Sequence, residues 1–204
     1  MLISLHTDTP DQRKINQIAA YIKNGGVVII PTDSIYALAC DLHNKKGIDQ
    51  ICKLLGKKPN KVNMSLICTD LSNISEYTRQ IPNPIYKLMK RLLPGPFTFV
   101  LNATSTVGRL FKSNKKTVGI RVPDNEIVSS IVRALGNPLV SSSIHSEDEI
   151  QEYLTEPDEI YDVWKNKVDW IIDGGVGMNQ GSTVLDCTTA HPEVIREGLG
   201  FEKL

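Results

Sequence analysis

One short run constrains the fold more than any other: Gly25-Gly26-Val27-Val28-Ile29-Ile30-Pro31-Thr32-Asp33-Ser34-Ile35-Tyr36-Ala37-Leu38. Its apolar part, Val27–Ile30, follows a glycine pair and stops abruptly at a proline. A short apolar run bounded by turn residues reads as a buried strand. The chain then passes at once to Thr32, Asp33, Ser34 and Tyr36. That arrangement places hydroxyls and a carboxylate at a sheet edge, where ligands of α/β proteins bind.

Strands and helices alternate on either side of this run. Ile15, Ile18, Ala19 and Ile22 lie at helical spacing, and Gly25-Gly26 stops that helix. Ile48, Ile51, Cys52 and Leu55 mark a second amphipathic helix, ending near Gly56 and Pro59. Ile85, Leu88, Met89 and Leu92 mark a third, from Pro84 to just before Pro94-Gly95-Pro96. A fourth runs to Leu135, with Asp124 as the expected N-cap and Gly136 just past the end. Further strands are expected at Ser65–Cys68, Phe97–Leu101, Thr117–Val122, Leu139–Ser142, Trp170–Ile172, Thr183–Leu185 and Val194–Arg196. The acidic stretch Ser146–Asp158 reads as a mobile loop or a short helix. The late strands have no helices between them, which argues for a mixed sheet rather than a purely parallel one. The expectation is a single α/β domain over residues 1–204.

Composition excludes several classes. No apolar run approaches the roughly 20 residues needed to span a bilayer, and the start, Met-Leu-Ile-Ser-Leu-His, lacks the features of a signal peptide. A cytoplasmic protein without membrane association is expected. Cys40, Cys52, Cys68 and Cys187 form no C-x-x-C pair and read as buried thiols. No set of ligands at metal spacing is present, and no catalytic nucleophile with its base stands out. Formal net charge is zero, although lysines cluster at Lys45-Lys46, Lys57-Lys58 with Lys61, Lys87 with Lys90-Arg91, and Lys112 with Lys115-Lys116.

Three familiar motifs fail. Gly56-Lys57-Lys58 lacks the hydroxyl and first glycine of a phosphate-binding P-loop. Gly175, Gly177 and Gly181 have one residue too many for a dinucleotide loop and lead into a strand, where such a loop must open a helix. Ser143-Ile144-His145 has no nucleophile elbow to support a hydrolase.

Seven segments in order are more specific: the strand with PTDSIYAL, LLGKKP with Asn63, LLPGPFTFVL, KTVGIRVPDN, NPLVSSS, DWIIDGG with STVLD, and VIREG. This series, from about residue 15 to 200, resembles the YrdC/YciO family of threonylcarbamoyl-AMP synthases and their paralogues. The stretch NMSLICTDLSNISEY is closer to the YciO branch. The resemblance implies a YrdC/RibB-like fold: a twisted open mixed sheet with flanking helices and a large concave cavity. It implies ATP as a substrate, with L-threonine and bicarbonate; magnesium is expected because ATP chemistry normally uses it. The product, L-threonylcarbamoyl-AMP, would serve the threonylcarbamoyladenosine modification of tRNA. It also implies, as an alternative, a non-catalytic paralogue that binds double-stranded RNA or tRNA.

By the same resemblance, Ser34, Arg121, Ser141 and Ser182 are expected on the amino-acid substrate. Lys58, Asn63, Thr117, Ser143 and Arg196 are expected on the nucleotide. The residues themselves support parts of this. Arg121 lies inside the apolar strand Val118-Gly119-Ile120-Arg121-Val122, and a charge there needs a partner; a carboxylate or phosphate would suit its fork. Ser141 and Ser143 alternate, so they share one face of a strand.

Departures from the synthase pattern matter equally. Ser34 stands where synthases usually carry threonine, and the hydroxyl survives. The basic K-x-R pair begins here at Gly56, with Lys57 and Lys58 beside it, and lysine does not reproduce a bidentate arginine. The S-x-N pair is Ser143-Ile144-His145, the family histidine falls near Cys68 or Thr69, and the usual arginine-proline-glycine is Arg196-Glu197-Gly198. Three altered contacts at roughly 1–2 kcal/mol each would cost orders of magnitude in rate if uncompensated.

Overall fold

The computed structural model describes residues 1–58, 62–72, 74–111, 116–144 and 153–204. Lys61, Lys112, Lys115, His145 and the 146–152 part of the acidic stretch lie outside the described residues. In chain order the elements are β1 (Leu2–Ser4), α1 (Gln12–Lys23), β2 (Val28–Ile30), β3 (Ala37–Asp41), α2 (Lys45–Leu54), β4 (Ser65–Ile67), α3 (Asn83–Leu92) and β5 (Phe97–Asn102). They continue with α4 (Ser105–Leu110), β6 (Thr117–Arg121), α5 (Glu126–Leu135), β7 (Leu139–Ser143), α6 (Pro157–Trp164), β8 (Trp170–Asp173), β9 (Thr183–Asp186) and β10 (Glu193–Arg196).

Among the described residues ten strands form one mixed sheet in the order β1-β8-β2-β3-β7-β4-β6-β5-β9-β10. β8 runs parallel to both β1 and β2, β4 to β6, and β5 to β9; the other neighbours are antiparallel. The mixed sheet with flanking helices is thus as the sequence leads one to expect. The end of the acidic stretch, Pro157-Asp158, opens α6, which closes on Trp164.

The helices form where local chemistry allows. Asp11 caps α1, its carboxylate accepting from the backbone N–H of Arg13 (2.8 Å) and Lys14 (3.1 Å). The α5 cap is Asn125, whose side chain accepts from Val128 N–H, rather than Asp124; the backbone N–H of Asp124 is bonded to Asp33 instead. Gly136 ends α5 at φ +83°, a left-handed conformation that glycine adopts without cost.

Strand alternation sorts the core into two sides. Val28 and Ile30 of β2, Ala39, Ile67, Leu139 and Ile172 face the apolar stripes of α1 and α5. Ile29, Leu38, Leu66, Val140, Phe97, Phe99 and Ile120 face the opposite way, toward α2, α3, α4 and α6. Each buried isoleucine, leucine or phenylalanine contributes about 1.5–3 kcal/mol relative to exposure. All four cysteines are buried thiols. No helix among the described residues is long and apolar enough to cross a membrane.

Candidate functional site

α1 and α5 cover only part of their face of the sheet. Where they stop, the strands of that face carry small or polar residues in place of large apolar ones. β3 continues from Ala39 to Ala37, β7 from Leu139 to Ser141 and Ser143, and β4 from Ile67 to Ser65. Farther across stand Gly119 and Thr117 of β6, then Thr98 and Val100 of β5. Register aligns them: Ser141 opposes Ser65, Ser65 opposes Gly119, and Gly119 opposes Val100. A Cβ on Gly119 would stand 2.6 Å from the Ser65 hydroxyl oxygen and 3.2 Å from a Thr98 carbon, so the floor is only as low as glycine permits. The result is a concave cavity of about 940 Å³, within the usual size of ligand sites.

Ser34, Asn63, Thr117, Arg121, Ser141, Ser143, Ser182 and Arg196 all line this cavity. Of the nine residues singled out from the sequence, only Lys58 is absent from the lining; it is exposed, and its neighbour Lys57 takes the wall position. Ser65 and Thr98 are lining residues that sequence reasoning passed over, and Lys57 was noted only as the neighbour of Lys58. The available signal for Thr98 was a hydroxyl between the buried Phe97 and Phe99 of one strand, but which face it shares with Ser65 follows only from the strand pairing, which joins residues far apart in sequence.

Arg121 is the most constrained side chain. It is 7% exposed. One Nη2 donates to Asp33 Oδ1 and to Ser34 Oγ, both at 3.0 Å. Asp33 Oδ2 accepts from Asp124 N–H at 3.0 Å. Thr32 Oγ1 lies 3.1 Å from Ser34 Oγ, accepts from Ser34 N–H, and donates to the Ile35 carbonyl. The turn after β2 is therefore braced by its own hydroxyls, as Thr and Ser favour. Burial pushes the Asp33 carboxyl above its ordinary range even with the guanidinium beside it. Arg121 stays charged, since no protein environment deprotonates a guanidinium. Arg121 Nε is buried without a hydrogen-bond partner.

The second cationic wall comes from β10. Arg196 donates from Nε (3.1 Å) and Nη2 (2.8 Å) to the Ser182 carbonyl, and Nη2 lies 3.3 Å from Ser182 Oγ. Ser182 Oγ pairs with Thr98 Oγ1 at 2.9 Å. Gly198 permits this packing: a Cβ there would meet the Gly181 carbonyl oxygen at 2.3 Å and that of Ser182 at 2.6 Å. Lys57, Arg121 and Arg196 are the cations of the described lining, which includes no carboxylate. Hydroxyls on a cationic floor suit phosphate and carboxylate oxygens.

The braced turn is also tied to the loop after β8. Tyr36 donates its hydroxyl to the Gly175 carbonyl (2.6 Å) and accepts from Gly174 N–H (3.2 Å). Met178 N–H donates to the Ser34 carbonyl at 3.1 Å. Burial pushes the Tyr36 phenol up to about 12.

Comparison with known proteins agrees with this architecture. The family model for Sua5, YciO and YrdC proteins, described as telomere recombination, matches residues 20–198. The uncharacterized protein YciO of Escherichia coli is 40% identical over 201 residues, covering 98% of this chain and 96% of the relative. Its crystal structure superposes with a TM-score of 0.88 at 39% identity over 98% of this chain and 96% of that one. The threonylcarbamoyl-AMP synthase of Pyrococcus abyssi is 26% identical over 92% of this chain but only 55% of its own length. The crystal structure of P. abyssi Sua5 complexed with L-threonine superposes with a TM-score of 0.87 at 25% identity, over 97% of this chain and 57% of that one.

Proposed function

The chain belongs to the Sua5/YciO/YrdC family, and on that premise we propose that its cavity joins ATP, L-threonine and bicarbonate into L-threonylcarbamoyl-AMP and pyrophosphate. The observation that carries this reading is the convergence of Ser34, Arg121, Ser182 and Arg196 on one cavity with cationic walls. A volume of about 940 Å³ leaves room for a nucleotide and an amino acid together. That P. abyssi Sua5 has been crystallised with L-threonine supports threonine as the amino acid.

In this reading the threonine amine combines with bicarbonate, water leaves, and a carbamate forms. A carbamate oxygen then attacks the α-phosphorus of ATP. The bond to the bridging oxygen breaks, and pyrophosphate departs with the electron pair. Negative charge builds on phosphoryl oxygens and on the leaving group, so fixed cations and hydroxyl donors supply the catalysis. Arg196, held by the Ser182 carbonyl, serves the nucleotide side. Arg121 and Ser34, locked together, serve the amino-acid side. No covalent nucleophile is needed. With no carboxylate in the described lining, magnesium would enter on the nucleotide, its ligands phosphate oxygens and water. The product would feed the threonylcarbamoyladenosine modification of tRNA.

The altered basic loop predicts a slow enzyme. Gly56 lies on the cavity wall where the synthase pattern has a base, and Lys57 is a point charge rather than a fork. Pyrophosphate release should depend on threonine and bicarbonate, and Arg196→Ala should raise the KM for ATP. Absence of threonine-dependent release, together with absence of ATP binding in calorimetry, overturns the proposal.

A second reading has one specific observation behind it. Lys58 is exposed and off the wall, beside Lys57 on it, so the cationic surface continues outward past the cavity. A double-stranded RNA or tRNA would follow such a surface, and its affinity would fall steeply with salt. Retention that does not respond to salt, or none at low salt, removes this reading.

A further inference from the structure

We propose that Asp33 is a positioning residue of this cavity, fixing the orientation of Arg121 from behind while removing its net charge from the ligand's side. The inference rests on the function proposed above and deepens it by dividing the work between the two arginines.

Asp33 does not line the cavity, whereas its partners Arg121 and Ser34 do. Its side chain is 6% exposed, against 9% for that of Arg121. Both carboxylate oxygens are committed: Oδ1 to Arg121 Nη2 and Oδ2 to Asp124 N–H, each at 3.0 Å. The carboxylate is thereby anchored to the segment leading into α5 as well as to its own braced turn. Held at two points, it cannot rotate without breaking a charge-assisted bond.

Arg121 itself argues against a purely structural pair. Its Nη2 is bound to two acceptors while its Nε is buried with none. A guanidinium serving only to knit strands together would spend that donor too, because an unmade buried hydrogen bond is costly. The arrangement instead holds Nη2 at two points and leaves Nε without a partner, on a side chain that lines the cavity. Charge divides accordingly. Arg121 with Asp33 is neutral as a pair. Arg196 is bound to a carbonyl, which balances no charge. Arg196 therefore draws anions in, and Arg121 aligns one that has arrived.

The two roles separate in kinetics. Asp33→Asn removes a negative charge near the cavity and frees the guanidinium. Affinity for inorganic pyrophosphate should stay the same or tighten by up to about threefold, from one unit charge at long range in a high dielectric. The kcat of threonine-dependent pyrophosphate release should fall on the order of tenfold to a hundredfold, the cost of a misplaced group, with the KM for ATP nearly unchanged. Asp33→Glu restores the charge and should recover wild-type pyrophosphate affinity with only part of kcat. A wild-type kcat in Asp33→Asn overturns the inference, as does a loss of pyrophosphate affinity that matches the loss of kcat. If Asp33→Asn does not fold, Asp33→Glu decides by the same two readouts.

An independent signature separates this inference from the function it rests on. The Arg121 Nε–Hε resonance, assigned by its disappearance in Arg121→Lys, should be sharp in the wild type and broadened in either Asp33 variant. If the wild type shows no threonine-dependent release, the proposed function fails, and this resonance alone judges the positioning role. A signal equally sharp in Asp33→Asn overturns it.

Discussion

The two arginines of the cavity look alike in sequence, each the only arginine of a short strand, yet they differ in what their loss would do to the fold. Arg121→Ala would strand the Asp33 carboxylate in a buried place with its main partner gone. Removing one member of a buried ion pair typically costs about 3–5 kcal/mol. Arg196 is exposed and bonded to a carbonyl, so Arg196→Ala should cost no more than about 1 kcal/mol. Urea denaturation of the two variants should show this gap, and replacing Asp33 and Arg121 together should recover part of the Arg121 loss. Arg121 was legible as a charge inside an apolar strand that requires a partner. The partner was not: Asp33 belongs to the turn after β2, and only the strand order brings β6 within reach of it. Ser34 was picked out as a hydroxyl and does line the cavity, but its bond to Arg121 spans 87 positions and was not legible. Ser182 was singled out, but its partner Thr98, 84 positions away, escaped notice for the same reason.

At the scale of elements, periodicity revealed what was long and amphipathic. α1, α3 and α5 show buried apolar residues every three or four positions and fall where the pattern places them. β3 was missed because Ala-Leu-Ala-Cys-Asp has no β-branched residue and follows directly on the polar turn. β1 and α4 span only three and six residues, too few for either period to register. The linkage between the turn after β2 and the loop after β8 runs through Tyr36, and it carries a pH dependence. Its phenol is raised from the model-compound value of 10.0 to about 12 by burial. The folded state thus keeps the proton where the unfolded chain has already released it. The corresponding stability is complete below pH 10 and is lost as pH rises through about 12. In denaturation midpoints measured from pH 9 to 12, Tyr36→Phe should show a shallower alkaline decline than the wild type. Equal declines would mean that another group, such as Tyr77, also raised to about 12, dominates.

The whole molecule is one sheet whose face is only partly roofed by α1 and α5, and the unroofed part is the site. Its mixed character was legible from the run of late strands without helices. Its order was not, because side-chain alternation says which way a residue faces but not which strand lies beside it. That order has a consequence for how the chain is made. β1 is an edge strand whose neighbour is β8, with Leu2 paired to Ile171. β1 therefore has no ladder to join until β8, far later in the chain, has followed it out of the ribosome. At roughly 5–20 residues per second the wait is on the order of ten seconds or more. On ribosomes arrested before Trp170 emerges, Leu2–Ser4 should remain open to protease, and on those arrested well beyond Asp173 it should be protected. An early strand of this fold is stitched in only after a late one has been made.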